Sequence, residues 1–177
     1  MKNRYAWFFV SAWLLLLAGC AGVTTQPSTP PAPPEAQQPG EAAIIAPVPK
    51  SDMSGNKAVI ALLDQAQTDN DSGQREAAGA SLERALRIEP RNPWLWLELA
   101  QVRLAEGQYE QAITLARKSN SFAGHQSRVQ AANWQVIGKA RVAQGDSAGA
   151  EQAFKLATEF AKQAKEEANR DSGSNFR

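Results

Sequence analysis

The chain has 177 residues, 43% of them hydrophobic, with 19 basic side chains against 18 acidic ones and a net charge of +1. That length holds one ordinary domain, or a smaller domain with tails, and that balance gives no bulk electrostatic pull on nucleic acid. One cysteine and one histidine, Cys20 and His125, exclude an internal disulfide and a structural zinc set.

Nucleophilic chemistry is equally poorly provided for. A Cys–His pair needs Cys20 inside a folded site, yet Cys20 lies in a leader segment. A Ser-His-Asp set would have to use His125, which sits in the polar stretch "SNSFAGHQS" with no catalytic signature around it and reads as a loop residue. There is no glycine-rich phosphate loop. The expectation is a protein that is not an enzyme, with no catalytic residue, no cofactor and no metal.

Residues 1–19 have the order of a signal peptide: Lys2 and Arg4, then the apolar run "YAWFFVSAWLLLL", then small residues. The run is 13 residues long, short of the roughly 20 that span a bilayer. "LAGC", Leu17 to Cys20, resembles the bacterial lipobox. The resemblance implies cleavage before Cys20, a diacylglycerol on its sulfur and a further acyl chain on the new amino terminus. Two or three chains, at about 0.8 kcal/mol per buried CH₂, hold firmly where one does not. No Asp follows Cys20, a pattern that resembles default sorting to the outer membrane. The expected location is the outer membrane, facing the periplasm.

Residues 20–56 are expected to be the lipidated cysteine and a disordered tether. From Ala21 to Asn56 this segment carries eight of the ten prolines, no aromatic residue and few charges, too little apolar surface to offset the entropy of ordering. It reaches roughly 110 Å fully extended and averages on the order of 35 Å as a coil. "AIIAPVP", Ala43 to Pro49, is its one apolar patch, able to dock on the head or on a partner.

Residues 57–168 read as three copies of one unit, at 59–92, 93–130 and 131–164. Ala66, Ala100 and Gly138 fall in register, as do Gly73, Gly107 and Gly145, and Ala78, Ala112 and Ala150. So do the bulky Leu62, Trp96 and Trp134. The intervals are 34 and 38 residues, so four residues are inserted near "SNSFAGHQ". Small residues in mid-helix permit close approach, and a glycine between helices supplies the antiparallel turn. Asn92 and Pro93 form a cap followed by a first-turn proline; "SRVQ", Ser127 to Gln130, fits a capping box. The pattern predicts six helices, the last running through "EFAKQAKEEAN", and a fraying tail at 169–177.

The register resembles the tetratricopeptide repeat. The third copy matches the family's pattern best, through Trp134, Ile137, Gly138, Ala150, Phe154 and Ala157. The first copy has Gln65 at a usually apolar position, and Asp69, Arg103 and Arg141 replace the usual Tyr. The resemblance implies an all-α solenoid of three helix pairs whose first helices line a concave side. It implies a partner-binding groove of Leu63, Gln67 and Asn70, then Trp94, Leu97, Gln101 and Leu104, then Gln135 and Lys139. Residues two apart point about 200° apart around a helix, so Trp94 and Trp96 cannot share a face. Trp96, in register with Trp134, is expected in the core; Trp94 either covers the preceding helix near Arg87 or stands in the groove. Lys139 is the only basic groove member, which disfavours a terminal-carboxylate ligand.

Anchor, tether and adaptor together resemble the tetratricopeptide-repeat outer-membrane lipoproteins that activate a class A penicillin-binding protein. That implies a membrane partner through the lipid on Cys20, a peptidoglycan synthase as protein partner, and no nucleic acid. The competing readings are a pilotin-like assembly factor for an outer-membrane secretin or pilus, and an accessory to an envelope hydrolase.

Overall fold

A computed structural model describes residues 48–174. The leader 1–19, Cys20 and the tether as far as residue 47 lie outside the described residues, as do residues 175–177 of the tail. Among the described residues there are seven helices and no strand. They are α1 (Lys50–Met53), α2 (Lys57–Asp71), α3 (Arg75–Ile88), α4 (Pro93–Ala105), α5 (Tyr109–Ala123), α6 (Ser127–Ala143) and α7 (Ser147–Ser174). The last six form the three expected pairs, α2/α3, α4/α5 and α6/α7.

Each pair closes with the same turn. Gly73, Gly107 and Gly145 have φ of 77°, 76° and 80°, a left-handed conformation open to glycine at no steric cost. Behind each, two backbone bonds terminate the first helix. Gly73 N–H donates to the Asn70 carbonyl and Gln74 N–H to that of Asp69, at 2.9 and 2.8 Å. The pattern recurs at Gly107/Gln108 and Gly145/Asp146. This is the Schellman arrangement, which satisfies carbonyls that a helix end leaves bare.

The aligned small residues sit where the paired helices touch. Ala78, Ala100 and Ala112 are fully buried, and Ala66 and Ala150 nearly so. At Gly138 a Cβ would come within 2.5 Å of the Phe154 ring on α7.

The insertion becomes an extra helical turn. Pro93 opens α4 three residues before Trp96, whereas Ser127 opens α6 seven residues before Trp134, so the four added residues lengthen α6 at its N-terminus. Asn92 caps α4 as expected, its side chain accepting from Trp94 N–H at 2.9 Å. The capping box expected at Ser127 does not form. The cap position falls on Gln126 without a side-chain bond, and the Ser127 hydroxyl donates instead to Glu167 Oε1 on α7, at 2.8 Å. Gln130 reaches back to the Gly124 carbonyl.

The core divides into two clusters with α4 in both. Leu95, Leu99 and Val102 join α2 and α3, while Leu97 and Ala100 join α5, α6 and α7. A buried polar link ties the second cluster together. Ser119 Oγ donates to the Pro93 carbonyl at 2.7 Å, and Asn133 Nδ2 donates to Ser119 Oγ and Asn120 Oδ1 at 2.7 and 2.8 Å.

Two segments are more ordered than the sequence suggests. Residues 50–53, at the end of the expected tether, form α1, which is latched to the repeats at three points. Asn92 Nδ2 donates to the Met53 carbonyl at 2.7 Å, Ser54 Oγ to Glu89 Oε1 at 2.7 Å, and Lys50 Nζ to Asp64 Oδ1 at 2.7 Å. Helix α7 continues to Ser174, into the stretch expected to fray.

Gly138→Ala is expected to lower stability by about 1 kcal/mol in urea unfolding, the gain in helix propensity being outweighed by overpacking. In a Phe154→Leu background the same substitution is expected to become neutral or stabilising.

Candidate functional site

The inner face of the repeats is set by helical spacing. On α2, Leu63, Gln67 and Asn70 follow at steps of four and three; on α4, Trp94, Leu97 and Gln101 follow at three and four; on α6, Gln135 and Lys139 are four apart. Such steps place side chains on one side of a helix. The structure brings these eight residues together around one cavity of about 660 Å³. Leu104, the ninth expected member, does not line it and packs against the second core cluster instead. Its place on the inner face is taken by Ala105, one residue on, and by Val102.

The eight are not equivalent. Leu63 and Leu97 are buried, so they form the floor. Gln67, Asn70, Gln101 and Lys139 are exposed and stand at the walls. Gln67 is partly committed, donating to the Asp71 carboxylate at 3.2 Å. Trp94 is half-buried, its ring both packed on the second cluster and open to the cavity. Of the two places left open for it, its ring is found lining the cavity.

Trp96 differs from the expectation of a core residue. It is half-buried, leans on the first cluster, and donates its indole N–H to the Pro90 carbonyl at 2.9 Å. An indole that must satisfy its N–H is drawn toward a wet edge.

Several lining residues were missed. Glu98 lies four residues after Trp94 and three before Gln101, so the same spacing rule reaches it; only its charge argued for a solvated face. Ala132 is three before Gln135 and equally reachable. Val48, Lys50 and Met53 also line the cavity, and no sequence signal marks them, because they fall in a segment whose composition reads as tether.

Glu98 is the electrostatic focus. Burial raises its carboxyl above the ordinary value of 4.5, and the nearby Lys50 ammonium pulls partly the other way. Lys50 also pairs with Asp64 on α2, so α1 places one cation between two carboxylates on neighbouring inner helices. The cavity thus offers amide donors and acceptors able to meet a peptide backbone, an indole face for an apolar anchor, and three ionisable groups, Glu98, Lys50 and Lys139. Among the described residues no group of three or more His, Cys, Asp and Glu is placed to hold a metal ion, and no helix is long and apolar enough to cross a membrane.

The raised Glu98 value has a consequence for stability. Where the folded chain holds a proton that the unfolded chain has released, stability falls as pH rises, from the unfolded value up through the folded one. Glu98→Gln is therefore expected to raise the Tm at neutral pH and to leave it unchanged at pH values below the ordinary one. Lys50→Ala should push the Glu98 titration, followed by carboxyl NMR, further upward.

Compared with known proteins, residues 70–135 match the tetratricopeptide-repeat family model. No curated protein matches the chain. Among solved structures it is similar to the globular C-terminal domain of LpoP from P. aeruginosa, with 47% identity and a TM-score of 0.57. The match covers 58% of this chain and 96% of that one.

Proposed function

The chain belongs to the LpoP family of tetratricopeptide-repeat proteins, and from that premise we propose that it is an outer-membrane-anchored periplasmic adaptor that binds and activates a bifunctional class A penicillin-binding protein. The observation that carries this reading is the likeness, at 47% identity, over almost the whole of the LpoP domain. The sequence supports it independently: a lipobox ending at Cys20, then a Pro-rich tether whose extended reach over residues 21–47 is roughly 85 Å, which suits a partner anchored in the opposite membrane.

The groove supplies the binding surface in this account. Trp94 is the anchor, since partly exposed tryptophans rank high among residues that carry interface energy. Gln101, Gln135 and Lys139 give the polar surround that fixes orientation. The adaptor contributes no catalytic group. It acts by binding a non-catalytic surface of the synthase more tightly in its active state than in its inactive one, which shifts the population by that difference in affinity.

The test uses the full chain with purified class A penicillin-binding protein from the same cell, following glycan polymerisation, crosslinking and a binding titration. Saturable stimulation is expected. Trp94→Ala should weaken binding by roughly thirtyfold, the size of an interface hot spot of about 2 kcal/mol. Gln101→Arg, at an exposed position, should weaken it without unfolding the repeats. Absence of both binding and stimulation would remove the activator reading and favour the assembly-factor class, for which the readout is secretin or pilus assembly in a deletion strain.

A further inference from the structure

Away from the groove, the C-terminal half of α5 and the turn between α3 and α4 bring two cations over two aromatic rings. Lys118 Nζ stands 4.8 Å from the centroid of Phe122 and 6.0 Å from that of Trp96; Arg91 Cζ stands 5.8 Å from Phe122 on the same ring. Arg84 and Arg87 lie one turn apart on the exposed side of α3. Arg84 occupies in the first copy the register position that Lys118 occupies in the second.

Among the described residues none of these four cations has a carboxylate partner. Acids stand close in sequence but are engaged elsewhere. Glu83 is paired with Arg103 at 2.9 Å, and Glu89 accepts from Ser54 and Asn92 at 2.7 and 2.6 Å. The contrast with Arg103 and Arg141, both matched to acids, is informative. In a chain of net charge +1, Lys118 and Arg91 unmatched over one ring, with Arg84 and Arg87 exposed and unmatched on α3, are a local excess, and the field of such charges acts on whatever approaches them.

We propose that this corner is a second docking surface, separate from the groove, and that its occupant is an acidic peptide segment of a partner protein. The cations supply charge complementarity. Ile88, an aliphatic side chain left 44% exposed on α3, supplies an apolar contact beside them. A protein segment fits better than a membrane. The rings are half-buried beneath their cations, and the indole N–H is already bound to a carbonyl, which leaves Ile88 alone to enter lipid. Stable membrane attachment through a surface patch needs several apolar side chains together with the basic ones.

The test requires neither the synthase nor the groove. The full chain is titrated with a glutamate–tyrosine copolymer, and in parallel with vesicles containing phosphatidylglycerol, at low and at high salt, with tryptophan fluorescence as readout. The double variant Arg91→Glu, Lys118→Glu changes exposed positions; its fold is checked by circular dichroism. Saturable binding of the copolymer is expected, weakened by salt and by about tenfold or more in the double variant, while Gln101→Arg in the groove leaves it unchanged. The proposal is overturned if the copolymer does not bind, if the double variant binds it equally well, or if the vesicles are bound in preference to it.

Discussion

Paired helices can approach closely only where their contact positions carry almost no side chain, and the architecture depends on that constraint. Ala66, Ala78, Ala100, Ala112 and Ala150 are the near-buried spacers. Gly138 is the extreme case, its missing Cβ leaving the place taken by the Phe154 ring. Close approach gives each pair a narrow inner helix and an outer one, and the left-handed glycine after each inner helix reverses the chain within two residues. Stacking three such pairs sets α2, α4 and α6 side by side, so the groove follows from the spacing.

Helix α4 bears most of the consequences. It lies between both core clusters, and its two tryptophans, two residues apart, serve opposite neighbours. Trp94 faces the cavity between the inner helices, whereas Trp96 closes the edge beneath Lys118. The helix-opening proline also has a second use, because its carbonyl receives Ser119 of the following helix. A single 13-residue helix thus links the floor of the groove, the buried polar tie and the cationic corner.

Much of this was legible in the sequence because glycine, alanine and tryptophan recur at fixed intervals, and each residue type has a narrow structural meaning. The turn glycines followed from register, and the eight residues around the cavity from the groove that the tetratricopeptide resemblance implies. What was not legible depended on partners distant in sequence. Ser127 has the chemistry of a cap but meets Glu167, forty residues on, once α7 folds back. Helix α1 has no helical pattern of its own and is held by Asn92 and Asp64, so composition assigned it to the tether. Leu104 shows the limit of spacing rules: seven residues bring it within about 20° of Leu97 around the helix, yet it packs, partly buried, against the second core cluster and does not line the cavity. Glu98 was within reach, but a lone glutamate on a helix is ordinarily a solvated charge, and only the three-dimensional placement of α1 and α4 shows that it is not.

The central claim is that the groove of the inner helices receives the class A penicillin-binding protein. A photo-crosslinking amino acid placed at Gln101, on the inner face of α4, or at Thr114, exposed on α5, tests it directly in the presence of the class A penicillin-binding protein. The account predicts a crosslinked product from position 101 that Trp94→Ala abolishes, and none from position 114. Crosslinking from 114 alone, or from 101 regardless of Trp94, would contradict it.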